Sequence, residues 1–106
     1  MAVYSELLGA GRVLESDGVI AYTAPATGTV VVRDVVITAA STGTGGVFVD
    51  AISGSVVSPI FHVNMADTVT SYHWAGRQVL RPGEQIQVAT LDGQCRYRIS
   101  GYVLGG

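Results

Sequence analysis

Two histidines, one cysteine, eight carboxylates and six arginines are the groups in this 106-residue chain that could carry chemistry. His62 and His73 lie on neighbouring extended segments and could meet across a hairpin. A zinc site needs three or four nitrogen, sulfur or carboxylate ligands at about 2 Å. Cys95 and either Asp50 or Asp67 would have to join the imidazoles, and no pair is spaced as HxH or CxxC. The plainer reading is a pair of strand histidines with hydrogen-bonding roles. Cys95 alternates with Tyr97 and Ile99, which turns its thiol inward, and a thiol in apolar surroundings stays protonated and unreactive. That favours a core cysteine over a Cys–His nucleophile. There is no Gly-x-Ser-x-Gly elbow. The stretch Gly43-Thr44-Gly45-Gly46 lacks the lysine of a phosphate loop and any helix behind it. Asp50, Asp67 and Asp92 are scattered, with no calcium-loop run. The chain reads as a non-enzyme: no catalytic residue, no metal ligand and no cofactor is expected.

Composition points the same way. Every cation is an arginine, and with eight acids the formal net charge is −2. That leaves no electrostatic footprint for nucleic acid or an anionic membrane. Charged residues make up 13%, about half the ~25% of an average soluble domain, while apolar residues make up 48%. A short chain of this kind is expected to leave apolar area outside, where larger patches mark interaction surfaces. Arginine without lysine fits an interface composition, and equally a GC-rich codon bias. No apolar run approaches the ~20 residues of a membrane-spanning helix, so no membrane partner is expected. The first eleven residues have no basic region and carry Glu6, unlike a signal peptide. A single cysteine cannot form an internal disulfide, which agrees with a reducing cytoplasm. These features describe a subunit of a larger assembly.

The elements that must position these groups are strands. In Glu84–Thr90, Ile86 and Val88 point one way, Gln85 and Gln87 the other. In the final segment Cys95, Tyr97, Ile99 and Val103 share one face, and Arg96, Arg98, Ser100 and Tyr102 share the other. Residues 18–23, 29–39, 46–52, 56–64 and 68–75 are rich in Val, Ile, Thr and aromatics. Turn residues separate them, among them Pro82-Gly83, with the composition of a type II turn, and Asp92-Gly93, a hairpin signal. Seven to nine short strands predict an all-β fold, an antiparallel β-sandwich of jelly-roll or Ig-like type. Thr29–Ala39 is apolar on both faces except at Arg33-Asp34, so it is either a covered central strand or one that changes sheets there. Tyr4–Leu8 is a short helix or an extended arm. The expected organisation is an N-terminal arm over 1–11 and one sandwich domain over 12–106.

Surface candidates follow from the alternation. Thr70, Tyr72 and Trp74 share a face with His73 opposite, an aromatic pair suited to core filling, an interface anchor or sugar stacking. Arg96 and Arg98, with Tyr102, form the best basic cluster. Val3, Tyr4, Leu7 and Leu8 would let the arm lie on a partner.

The stretch Tyr72–Glu84, followed by an alternating strand and Ile99-Ser100-Gly101-Tyr102, resembles the small β-sandwich virion proteins of tailed bacteriophages. Tyr22–Ala26 followed by Val30–Val35 is similar to the same group. The likeness spans most of the chain from Gly18 onward and rests on turns and strand edges, so it carries over no catalytic residue. It implies a capsid decoration or cement subunit, or a tail- or connector-associated piece. The implied partners are a major capsid protein or tail and connector subunits, with further copies of the chain as a homo-oligomer in the virion. A carbohydrate- or receptor-binding module is the alternative from a different class.

Overall fold

The computed structural model describes residues 6–14, 18–39, 45–65, 71–90 and 94–104. Within them lie eight strands: β1 (Glu6–Leu14), β2 (Gly18–Thr23), β3 (Thr29–Ala39), β4 (Gly45–Ser53), β5 (Val56–Met65), β6 (Ser71–Leu80), β7 (Gln85–Thr90) and β8 (Gln94–Leu104). They form two antiparallel four-stranded sheets, in the orders β1-β8-β3-β6 and β2-β7-β4-β5. This is the jelly-roll connectivity rather than the Ig-like one.

Period-two alternation builds the core. On β7, Ile86 and Val88 are fully buried while Gln85 and Gln87 are not; on β8, Cys95, Tyr97 and Ile99 are buried while Arg96 and Arg98 are exposed. Val13, Val35, Ile37, Val47, Val49 and Leu80 complete the layer between the sheets. Each such side chain stabilises the fold by about 1.5–3 kcal/mol. Val103 departs from the expected inward set: it is 36% exposed, because β8 is there within one residue of its end.

Three expectations are corrected. Residues 6–11, expected within an arm or helix, are the first part of β1 and pair along β8; Val3 and Tyr4 lie outside the described residues. Strand β6 runs on to Leu80 because, past the irregularity at Gly76 and Arg77, Gln78, Val79 and Leu80 again pair with β3. β7 and β8, read as a hairpin around Asp92-Gly93, belong to different sheets. Each buries its apolar face against the other layer. Residues 91–93 themselves lie outside the described residues. Only β4 and β5 are both consecutive and paired, through a turn with Gly54 at φ 61°.

Pro82-Gly83 forms the turn its residues imply. The Glu84 amide donates to the Arg81 carbonyl (3.1 Å), and Gly83 has φ 81°, where side chains are strained. The Gly83 amide donates to the Ala24 carbonyl (3.2 Å), and the Ala24 amide donates to that of Glu84 (2.8 Å), so the end of β2 is tied to this turn. The Glu84 carboxylate accepts from the Arg81 amide at 2.6 Å.

β3 stays in one sheet between β8 and β6. Its register slips against both neighbours between Val32 and Asp34, leaving Arg33 exposed. Before the slip the core side is Val30 and Val32; after it, Val35 and Ile37. A one-residue phase change therefore explains why the segment read as apolar on both faces. Gly101 pairs with Val32 at the slip, and a Cβ there would run into the Val31 carbonyl oxygen.

Gly101→Ala is expected to cost about 3 kcal/mol, the upper end of overpacking penalties, read as a lowered midpoint in urea denaturation. A second prediction concerns Glu84. The Arg81 amide, then Ser53, holds its carboxyl below the ordinary 4.5. A lowered folded-state value gives stability that is fully present above the unfolded value and is lost as pH falls through the folded one. Wild-type protein should lose its advantage over Glu84→Gln as pH is lowered below about 4.5, measured by parallel denaturation of the two proteins.

Candidate functional site

The outer face of the β1-β8-β3-β6 sheet gathers the chain's unusual surface groups. At the end nearer Leu14, Arg12 of β1 stands directly opposite Arg96 of β8, and Arg96 stands opposite Thr38 of β3. One step along, Ala10, Arg98 and Val36 form the next row. Ala10, Arg12, Val36, Thr38, Arg96 and Arg98 line an open depression of about 600 Å³. All three arginines are exposed, and among the described residues none has a carboxylate within salt-bridge distance. Like charges directly opposite on a sheet are destabilising, so this placement opposes the fold rather than supporting it.

The other end of the same face is apolar. Val79 of β6, Val31 of β3 and Tyr102 of β8 form a row. Val31 is buried between its neighbours, Tyr102 is half-buried and Val79 is exposed. Leu7 and Leu104 add exposed apolar area beside it, both close to half exposed. Between the two ends His73 Nε2 donates to Asp34 Oδ1 at 2.7 Å.

Several sequence candidates fall elsewhere. Tyr72 and Trp74 face the space between the sheets, because His73 takes the outward position on β6. Their rings lie against Phe61 of β5, with centroids 5.1 and 6.2 Å apart and planes inclined by 29° and 12°. They close the sandwich between the edge strands β5 and β6, where both stay partly exposed. Leu8 packs partly against the core from the irregular register between Leu7 and Gly9. Of the named candidates, Leu7, Arg96, Arg98 and Tyr102 share the outer face.

The histidines do not meet. His62 lies on the outer face of the other sheet, where Nε2 donates to Asp50 Oδ1 at 3.2 Å and the ring packs edge-on against Phe48. Each imidazole is held by its own carboxylate, on opposite sides of the molecule. Among the described residues no group of three or more His, Cys, Asp or Glu could hold a metal ion. Cys95 is fully buried and its thiol is pushed up from 9.0 to about 11 by that burial.

Sequence reasoning missed Arg12, Val31, Val79 and Leu104. Arg12 lies on a strand whose alternation is hidden by Gly9 and Gly11, with the Tyr97 ring filling the space beside Gly11. The available signal was Arg12-Val13, an outward charge before an inward valine, continuing the pattern of Arg96 and Cys95.

No protein-family model and no curated protein sequence matches the chain. Among solved structures it is similar to the Drosophila NLP core, described for pentamer formation and histone binding. That match has a TM-score of 0.56 at 14% identity and covers 97% of this chain and 100% of that one. It is also similar to a Bacillus endospore appendage protein, from a family of disulfide-linked pili. Here the TM-score is 0.48 at 17% identity, over 96% of this chain and 88% of that one. The first likeness establishes the β-sandwich fold.

Cys95 is expected to resist alkylation by iodoacetamide at pH 8 while the protein is folded, and to react once it is unfolded in guanidinium. Mass spectrometry of the two samples reads the difference directly; labelling of the folded protein at the rate of a free thiol would contradict the burial.

Proposed function

We propose that this chain is a non-enzymatic structural subunit that works by association, and that it serves as a capsid decoration or cement protein of a tailed bacteriophage. The observation that carries the reading is the outer face of the β1-β8-β3-β6 sheet. There, three arginines that have no carboxylate partner among the described residues share one surface with exposed Leu7, Val79 and Leu104. The apolar part of such a face gains from being covered, and arginine is enriched where proteins meet.

Two further points support the proposal. The resemblance to small phage virion proteins rests on Tyr72–Glu84 and Ile99–Tyr102. In the fold these residues belong to β6, the turn around Gly83, and the part of β8 that borders the apolar end of the face. Jelly rolls are also a common fold for capsid building blocks. The NLP core, which shares the sandwich, is described for pentamer formation. A ring of copies matched to particle symmetry is the assembly we propose here.

Purified protein is expected to sediment with tailed-phage particles that lack it and to appear on their heads by immunogold microscopy. Light scattering after size exclusion should give a mass above that of one chain. A stable monomer at micromolar concentration that binds no particle would overturn the proposal, and labelling confined to tails would move the subunit to the tail or connector.

A further inference from the structure

The arginine end of the outer face has a chemistry specific enough to name what covers it. Half of the chain's six cations, Arg12, Arg96 and Arg98, line one depression. Two of them are directly opposed across β1 and β8, an arrangement that opposes folding and so needs a reason outside the fold. The floor between them is formed by Ala10, Val36 and Thr38, which offer no negative charge. Asp34 is the one acidic residue that the register places on this face among the described residues, and it already accepts from His73.

A second copy docked through its own equivalent face is a poor occupant. A two-fold axis brings this face against itself, setting arginines against arginines or against the row of Val79, Val31 and Tyr102. Either arrangement desolvates guanidinium groups without supplying carboxylates. Nucleic acid is also a poor match. The chain is net negative, and the apolar half of the face has nothing to offer a phosphate backbone. A protein surface presenting carboxylates beside an apolar patch complements both halves at once. Arginine suits this use because its planar fork binds carboxylates in a bidentate manner.

We infer that the depression formed by Arg12, Arg96 and Arg98 is the docking site for an acidic, carboxylate-bearing segment of a different protein, with Val79 and Tyr102 covered by that partner's apolar neighbours. This inference rests on the chain being an associating subunit and names the face and the partner's chemistry. Contacts between copies of the chain are then made elsewhere on the molecule.

The test uses a hexaglutamate peptide as probe against the isotope-labelled protein, followed by nuclear magnetic resonance. Arg12, Arg96 and Arg98 side-chain resonances and the Val36 and Thr38 amides should shift together. The double variant Arg96→Gln/Arg98→Gln should bind about tenfold more weakly. Raising ionic strength from about 0.05 to about 0.5 M should abolish most of the wild-type binding. The same variant should melt no lower than wild type, because it relieves the opposed charges; a lower melting temperature would mark the arginines as structural and overturn the inference. A short DNA duplex or polyphosphate that shifts the same resonances at lower concentration than hexaglutamate would also overturn it. Sedimentation with particles separates the docking site from the structural role. If wild type binds and the double variant binds equally well, the docking site is wrong and the structural role stands. If wild type binds nothing, the structural role fails, and the peptide titration still decides the site. A change of oligomeric mass in the double variant would assign the face to self-association and overturn the inference.

Discussion

The phase change at Arg33 is the constraint on which the rest of this molecule depends. β3 is eleven residues long and lies inside its sheet, so it must present apolar groups to the core along its whole length. The slip between Val32 and Asp34 moves the core side from Val30 and Val32 to Val35 and Ile37. It also divides the opposite face. Before the slip the outward residue is Val31, in a row with Val79 and Tyr102; after it, the outward residues are Asp34, Val36 and Thr38, beside the arginines. Glycine at position 101 lets the neighbouring strand pass close to the irregular backbone. One inserted residue thus fixes both the packing inside and the two-part character of the surface outside.

The jelly-roll connectivity explains how so little charge can be gathered so tightly. Arg12 and Arg96 are far apart in the chain and meet because β1 and β8 are neighbours. The same connectivity keeps apart groups that sequence places close together. His62 and His73 fall on the outer faces of different sheets, each bonded to an aspartate of a neighbouring strand. The thiol that a nucleophile would need is in the core, where burial holds it protonated. Among the described residues the histidines and the thiol are dispersed, while Arg12, Arg96 and Arg98 are gathered on one face.

Local patterns were readable wherever a strand has one apolar and one polar face in a single phase. The alternation of Ile86 and Val88 with glutamines, and of Cys95, Tyr97 and Ile99 with arginines, gave both the strands and their buried sides. The turn at Gly83 was legible because proline and glycine meet its backbone requirements locally. β1 was not, since its glycines hide the alternation and it is held by pairing with β8 and by Tyr97 over Gly11. For Tyr72 and Trp74, core filling and outward docking both stayed open until the fold turned them inward, because alternation gives two faces without saying which one meets the other layer.

Sequence by itself determined that the chain is all-β, where most strands lie, that its thiol is buried and that its charge is sparse and cationic only through arginine. These follow from residue type and period two, which act over a few neighbouring positions. Tertiary structure decided which strands pair, on which side Trp74 lies and that Arg12 joins Arg96 and Arg98. Those outcomes depend on contacts between distant segments, set by the need of two sheets to cover each other's apolar faces, and no local pattern encodes them.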